Sequence, residues 1–122
     1  MNQTYNNIIS FVWSKDVKKS LQFYEEILGF KKAYESQGWI ELSIPGLKTG
    51  YIAINRWAKK ENPPVNQFIT LGVDDLAGFK TYLEGKKVEM YKETFEFYEE
   101  GIKMFKFYDP DGNILTAAEV EM

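Results

Sequence analysis

Residues 16–30 read DVKKSLQFYEEILGF, which predicts one amphipathic helix with a defined start and a defined end. Asp16 suits the N-cap position, where a short carboxylate accepts a hydrogen bond from a free backbone N–H. Apolar side chains then recur at three- and four-residue spacing, at Val17, Leu21, Tyr24 and Leu28. Gly29 is typical of the residue that ends a helix, because glycine adopts the left-handed conformation without strain.

Strand patterns lie on both sides of this helix, and the whole order then recurs. Segments rich in β-branched and aromatic residues, or with alternating apolar residues, predict strands at 7–13, 30–35, 39–44 and 51–57. After a charged stretch that contains two prolines, the second half predicts a helix opened by Asp74 and Asp75, with strands at 67–73, 88–92, 102–108 and 114–120. The register also repeats, because Ile9 lies seven positions before Asp16 and Phe68 lies seven before Asp75.

An internal duplication of this kind is stronger evidence for the fold than the helix or strand propensity of any one segment. The sequence therefore predicts an α+β fold made of two βαβββ modules that form a curled mixed sheet. Module one spans about 5–58, the linker 59–65 and module two 66–121, within a single domain of residues 1–122.

The composition restricts the function. The 122 residues include no histidine and no cysteine, so the chain offers no imidazole or thiolate as metal ligand, base or nucleophile. The net charge of −3 argues against nucleic acid binding, which favours a concentrated basic face. No apolar run approaches the roughly 20 residues that span a bilayer, and the N-terminus lacks the apolar core of a signal peptide. We therefore expect a soluble, cytoplasmic protein whose partners include neither nucleic acid nor a membrane.

Aromatic residues are unusually frequent, at 16% of the chain, with nine Phe, eight Tyr and three Trp. Most of them are expected to pack in the core. Their number exceeds what a core of this size readily hides, so the remainder should line a concavity or an interface.

Two segments carry a family resemblance: residues 16–30 and residues 107–113 (FYDPDGN). They resemble the vicinal oxygen chelate superfamily, which includes glyoxalase I, bleomycin-resistance proteins and extradiol dioxygenases. Residues 73–76 (VDDL) also fall where the second helix of such a fold should begin, so the resemblance covers nearly the whole chain. The resemblance implies that each module curls its sheet into a cup, that two modules face each other around a pocket, and that two chains pair as a homodimer. It does not fix the activity, because one scaffold hosts many functions.

The resemblance also implies four metal-ligand positions, which hold two histidines and two glutamates in that family. Here they fall at Ile9, at about Ala53, at Phe68 and at Thr116, and none of these is a ligand of the family type. We therefore predict no metal and no other cofactor. The resemblance then favours a binding protein over an enzyme, as in the metal-free branch typified by bleomycin-resistance proteins.

Alternation along the strands predicts which side chains line the cup, once the ligand positions are taken to face inward. The predicted ligand-binding set is Ile9, Phe11, Trp13, Trp39, Glu41, Tyr51, Asn55, Phe68 and Thr116. A largely apolar lining with few polar groups is usual for a small-molecule pocket. Two alternatives stay open: the apolar members could fill the cup as core, and Glu41 could be a strand-edge glutamate that faces water.

The sequence favours metal-independent binding or sequestration of a small, partly aromatic molecule such as a drug or toxin. One alternative is an enzyme of the same superfamily with a metal-free mechanism, in which Glu41 or a tyrosine serves as acid or base. Another is a degenerate, non-catalytic dimer with a filled pocket. An open cup would support binding, and a packed cup would support degeneracy.

Overall fold

The computed structural model describes residues 4–64, 69–91 and 102–120. The chain divides into two compact units, Met1–Val65 and Asn66–Met122, and each contains a mixed sheet and a helix. The predicted α+β class with two βαβββ-like modules is confirmed. Within the described ranges, no helix has the length and apolar character needed to cross a membrane.

The first unit is a complete βαβββ module. Its strands are β1 (Ile9–Ser14), β2 (Lys31–Ser36), β3 (Trp39–Ser43) and β4 (Tyr51–Arg56). Helix α1 spans Val17–Gln22 and continues as a π-helical turn over Phe23–Ile27. The sheet order is β1-β4-β3-β2, in which β1 runs parallel to β4 and the other neighbours are antiparallel.

The helical segment begins and ends where the sequence predicts, but its second half is wider than an α-helix. Asp16 Oδ1 accepts a hydrogen bond from the Lys19 N–H at 3.1 Å, and Gly29 has a φ of 77°. The N–H of Leu28 donates to the Phe23 carbonyl, five residues back, at 3.2 Å. Within this turn the consecutive rings of Phe23 and Tyr24 are both buried. The predicted stripe assumed 3.6 residues per turn throughout, so it missed Phe23.

The core of the first unit lies on the sheet face that meets the helical segment. Alternate strand residues are buried there, at Val12, Ile40, Leu42, Ile52 and Ile54. The helical segment and the residue that follows its glycine add buried rings at Phe23, Tyr24 and Phe30. Because side chains alternate along a strand, the residues between these buried ones belong to the opposite face of the sheet.

The second unit repeats this plan. It consists of β5 (Ile69–Gly72), α2 (Leu76–Gly85), β6 (Ile102–Tyr108) and β7 (Ile114–Val120), with the order β5-β7-β6 and β5 parallel to β7. Two carboxylates cap α2: Asp75 Oδ1 accepts from the Gly78 N–H at 3.0 Å, and Glu119 Oε2 accepts from the Leu76 N–H at 3.0 Å. Buried residues fill the space between α2 and its sheet, namely Ile69, Leu76, Leu83, Phe107, Leu115 and Ala117.

The predicted strand at 88–92 is wrong in its described part, which ends at residue 91. It forms a single bridge, between Met90 and Phe107, supported by a hydrogen bond from the Tyr108 N–H to the Glu89 carbonyl at 2.9 Å. Lys87, just before it, has a φ of 61°, so the chain turns sharply into the segment. Val88, Met90 and Tyr91 suit a strand by residue type, so propensity alone did not decide the outcome: a strand is held mainly by packing of its side chains on neighbours.

The DPDG turn at 109–112 is structural, as its residue types predict. Asp109 is buried, and its Oδ1 accepts from the backbone N–H groups of Asp111 and Asn113, both at 2.9 Å. Its Oδ2 accepts from the side-chain amide of Asn113 at 2.8 Å. Gly112 has a φ of 84°, a value that favours glycine at the end of the turn. The paired carboxylates of this motif therefore belong to the hairpin and not to a reactive site.

Strand register shows how closely the two units correspond. In the first, Phe11 and Glu41 flank Ala53 on either side of β4. In the second, Thr70 and Lys106 flank Thr116 on either side of β7 in the same way. Phe11 lies five residues before the Asp16 cap, and Thr70 lies five before the Asp75 cap, so the register and the sequence spacing give the same equivalence.

Candidate functional site

The face of the first sheet that is turned away from α1 carries every predicted site residue of module one. Alternation and register bring together Ile9, Phe11, Trp13, Trp39, Glu41, Tyr51 and Asn55. Trp57, just after β4, packs beside them, with its ring centroid 5.1 Å from that of Trp13. We refer to these eight residues as the aromatic face.

Four rings of the aromatic face form a continuous row. The centroids of Trp39 and Phe11 lie 5.8 Å apart, those of Phe11 and Trp13 5.1 Å, and those of Trp13 and Trp57 5.1 Å. The last two pairs meet edge to face, at 84° and 68°, a geometry that contributes about 0.5–1.5 kcal/mol per pair beyond area burial. All four rings are half-buried, and the row contains all three tryptophans of the chain.

The centre of the aromatic face is filled, while its rings keep exposed surface. Ala53, between Phe11 and Glu41 in register, is fully buried. Asn55 is half-buried between Trp13 and Trp39, and it places an amide in the middle of the row. Towards the start of β1 the face opens, because Ile9 is 39% exposed.

Glu41 is the one acidic side chain of the aromatic face, and it is fixed in place by a tryptophan. The Trp39 Nε1–H donates to Glu41 Oε2 at 2.7 Å, a short distance that suits an ionised acceptor. Glu41 is half-buried in the third strand, flanked by Tyr34 on β2 and Ala53 on β4. It is therefore not a strand-edge glutamate, because both neighbouring strands are paired with its own.

Trp57 was not among the residues predicted for the site. Its indole Nε1–H donates to the Glu61 carbonyl at 2.6 Å, and its backbone N–H donates to the Ser14 carbonyl at 2.8 Å. The Lys59 ammonium lies over the ring, 5.5 Å from its centroid. The sequence contained the information needed to include Trp57, because residue 57 is the next alternate position after Tyr51, Ala53 and Asn55.

The two remaining predicted site residues belong to module two. Thr116 is half-buried on β7, between Thr70 and Lys106 in register, on the face turned away from α2. Phe68 lies outside the described residues. Within the first unit, the structure brings seven of the nine predicted residues onto one face of one sheet.

Comparison with known proteins agrees with this architecture. Residues 7–116 match the family model of the Glyoxalase/Bleomycin resistance protein/Dioxygenase superfamily. The chain belongs to this superfamily. No curated protein sequence matches it significantly.

Several solved structures of the superfamily's fold resemble this chain. An integron cassette protein, HFX_CASS4, from the mobile metagenome of the Halifax Harbour sewage outfall has a TM-score of 0.76 and 26% identity, covering 96% of this chain and 100% of its own. TnmS3, an antibiotic-binding protein from Streptomyces sp. CB03234, has a TM-score of 0.76 and 21% identity, covering 99% and 100%. A glyoxalase/bleomycin resistance protein from the same organism has a TM-score of 0.67 and 24% identity, covering 92% and 98%.

The residues of this superfamily member do not fit the metal that the resemblance implies. Ile9 and Ala53 offer only hydrocarbon, and Thr116 has no carboxylate or imidazole neighbour across the strands. Glu119, the nearest carboxylate in sequence to Thr116, faces α2 and caps it through Leu76. Across the described ranges, no three Asp, Glu, His or Cys side chains approach closely enough to hold a metal ion.

The described residues also line two open depressions beside the helix starts. One, of about 500 Å³, is lined by Lys15, Asp16, Val17, Lys18, Glu35, Gly38, Ile40 and Arg56. The other, of about 460 Å³, is lined by Asp75, Leu76, Ala77, Lys80, Lys103, Met104, Phe105 and Glu119. Both mix charges of opposite sign. The second also includes apolar side chains, among them Phe105, but neither is lined by a row of aromatic rings, so the aromatic face is the stronger candidate for a planar organic ligand.

Proposed function

We propose that the protein binds a small, partly aromatic molecule on the aromatic face, without using a metal. The observation that carries this proposal is the row of four half-exposed rings on the sheet face turned away from α1. Flat rings of this kind offer a planar ligand both stacking and edge contacts. Asn55 and Glu41 add the few polar groups that orient a ligand in such a site.

The free energy of stacking on each ring determines the affinity that we expect. Stacking of a planar ring on an aromatic side chain contributes about 1–3 kcal/mol. Contact with two or three rings would therefore supply roughly 2–9 kcal/mol, whereas a Kd of about 1 µM requires about 8 kcal/mol. A planar ligand held by stacking alone should accordingly bind in the micromolar range or more weakly.

Relatives support a binding role. TnmS3 is described as an antibiotic-binding protein, and another similar structure as a glyoxalase/bleomycin resistance protein. Sequestration of a drug or toxin needs shape and aromatic surface, and the aromatic face supplies these. Because all four metal-ligand positions hold other residue types, we further propose that binding survives a chelator. About one transition-metal ion per purified chain would contradict this part of the proposal.

The alternatives have weaker support. Catalysis by Glu41 as acid or base would engage a carboxylate that already accepts a hydrogen bond from Trp39. A filled, inactive face agrees with the burial of Ala53 but leaves the half-exposed tryptophans unexplained.

We also propose a homodimer in the cytoplasm. Large apolar side chains of the first unit are well exposed, with Tyr5 86%, Ile8 75% and Leu47 58% exposed, and such surface is common at protein interfaces. A biological interface should bury more than about 1,000 Å². Light scattering at micromolar concentration tests this directly, and a monomer mass would contradict it.

Acridine, a neutral planar three-ring compound, is a suitable probe for the binding proposal. Because the three tryptophans all lie on the aromatic face, bound acridine should quench most of the tryptophan emission, and calorimetry should give a Kd of roughly 10–100 µM. Trp13→Ala should weaken binding about tenfold or more, since one stacking partner is lost. The matched control is Tyr82→Ala, which removes an exposed ring from α2 of the second unit. Equal affinity in both variants, with folding verified by circular dichroism, would refute the proposal.

A further inference from the structure

The aromatic face is polarised along its row of rings. Glu41 lies at the Trp39 end, where it accepts the indole N–H. Lys59 lies over Trp57, at the other end. Between them the row consists of Phe11 and Trp13. The two ends should therefore differ in their affinity for a charged ligand, because one carries a carboxylate and the other an ammonium group.

At the Trp39 end, the carboxylate keeps one oxygen for a ligand. Glu41 Oε2 is used by Trp39, and the other oxygen accepts no hydrogen bond from a described residue. Glu41 also forms no ion pair with any described residue. Three cations lie on the neighbouring strands, both of which are described in full. Lys32 on β2 pairs with Glu35 at 2.8 Å, and Arg56 on β4 lines the depression beside α1. Lys31 on β2 is in register with Ser43, two residues from Glu41 along β3, and these described residues include no ion pair between Lys31 and Glu41.

Water solvates the part of this carboxylate that is exposed, and a cation that arrives with the ligand would replace that water with a charge-assisted contact. The hydrogen bond from Trp39 fixes the carboxylate beside the ring, so a group that stacks on this ring reaches the free oxygen. A planar cation satisfies both contacts at once, through the ring face and through the charge. The Lys59 ammonium over Trp57 is an internal example of a cation held by this row.

Resting on the proposed function, we infer that Glu41 selects planar aromatic ligands that carry a positive charge, and that Trp39 positions the Glu41 carboxylate for this purpose. The ligand class is thus a flat heteroaromatic cation, whose charged ring lies against Trp39 and Glu41. A neutral ring of the same shape binds through stacking alone.

The test compares acridine with 10-methylacridinium, which share a three-ring system and differ in charge, in mildly alkaline buffer where acridine is neutral. Calorimetry on the wild type should show about tenfold tighter binding of the cation. Glu41→Gln keeps an oxygen for the Trp39 N–H and removes the charge, so it should reduce this preference to about onefold. The readout is the ratio of the two affinities in each variant, not the affinity for either probe alone. The matched control is Glu35→Gln on the adjacent strand, which should keep the preference.

The Trp39→Phe variant tests whether the Glu41 carboxylate must be held in position by Trp39, or whether its charge alone is sufficient. It keeps a ring but removes the N–H that orients the carboxylate, so the preference for the cation should fall by severalfold although Glu41 is still present. An unchanged preference in this variant would overturn the positioning role. If both probes bind the wild type equally, or if Glu41→Gln leaves the preference intact, the inference is overturned while the proposed function stands. If neither probe binds, the proposed function fails and the inference fails with it.

Discussion

The two units have the same strand plan but present opposite chemistry on their corresponding faces. In the first unit, the residues in register across the three strands are Phe11, Ala53 and Glu41. In the second unit, the equivalent residues are Thr70, Thr116 and Lys106. The first face is thus aromatic and acidic at this level, and the second is hydroxylic and basic. On the opposite, helix-packed faces both units are apolar, as at Ile52 and Leu115.

The comparison distinguishes the residues that maintain the fold, on the helix-packed face of each sheet, from the residues on the opposite face that are available for function. The helix-packed positions keep one character in both units, because burying apolar surface is the main stabilising contribution in either case. The other face needs only residues that suit a strand, so its chemistry can diverge without loss of the fold. A ligand-binding role should therefore depend on residues that contribute less to stability than the helix-packed core does.

The largest expected effect tests this separation with neighbouring residues. Leu115→Ala should lower the free energy of unfolding by about 2–5 kcal/mol, because it leaves a cavity in a fully buried core. The equivalent Ile52→Ala in the first unit should cost a similar amount. Thr116→Ala, one residue away on the other face, should change stability by about 1 kcal/mol or less. Urea titrations followed by circular dichroism give the three values, and comparable losses at residues 115 and 116 would contradict the separation.

The next effect concerns binding. Phe11→Thr copies the second unit's residue onto the first face and removes the ring that joins Trp39 to Trp13. Affinity for a planar probe should fall about tenfold, consistent with the loss of one stacking contact. The reciprocal change, Thr70→Phe, should leave affinity unchanged, and calorimetry on the two variants tests whether binding resides in the first face. A greater loss in the Thr70 variant would assign binding to the other unit.

Periodicity and turn chemistry predicted most of the fold. The spacing of the two capping aspartates, the glycine that ends the helical segment of the first unit, and the strand alternation all follow from local rules that the packing respects. At the end of α2 the left-handed conformation falls instead on Lys87, with a φ of 61°. The π-helical turn after Gln22 was missed, because its widening depends on how Phe23 and Tyr24 pack. The segment at 88–92 was overpredicted, because a strand's length depends on a partner's side chains as well as its own residues.

For the candidate site, strand phase was predictable and ligand chemistry was not. Trp13 and Trp39 both contact Phe11, as expected for residues that share a face. The hydrogen bond between Trp39 and Glu41 depends on side-chain rotamers, and no sequence pattern specifies these. Trp57 was missed although the predicted strand, 51–57, included it, because the inward-facing residues were assigned only as far as Asn55. The ligand-binding role of the set remains a prediction.

A smaller effect compares the two helix starts. Asp16 caps α1 through the Lys19 N–H, and Asp75 caps α2 through the Gly78 N–H, at nearly equal distances. Asp16→Ala should lower the unfolding free energy by about 1 kcal/mol. Asp75→Ala should cost less, because Glu119 still accepts from the Leu76 N–H at the same helix start. Adding Glu119→Ala, which removes the second acceptor, to Asp75→Ala should raise the cost towards that of Asp16→Ala. Urea titrations that give equal losses for Asp16→Ala and Asp75→Ala would contradict this.

The smallest effect belongs to the exposed edge strand of the first unit. The hydrogen bond and the charge of Glu35 raise the pKa of Lys32 above its ordinary value of 10.5. A raised pKa means that the folded state holds the Lys32 proton more tightly than the unfolded state does. The pair therefore stabilises the folded protein at any pH below the unfolded pKa of Lys32. This contribution is lost as the pH rises through the higher pKa of the folded state. Because both side chains are exposed, solvent screens the pair, and Lys32→Gln should leave the melting temperature nearly unchanged at neutral pH. Glu35→Gln should lower the Lys32 pKa in an NMR titration. A Lys32 titration midpoint that is identical with and without Glu35 would show that the pair is not formed in solution.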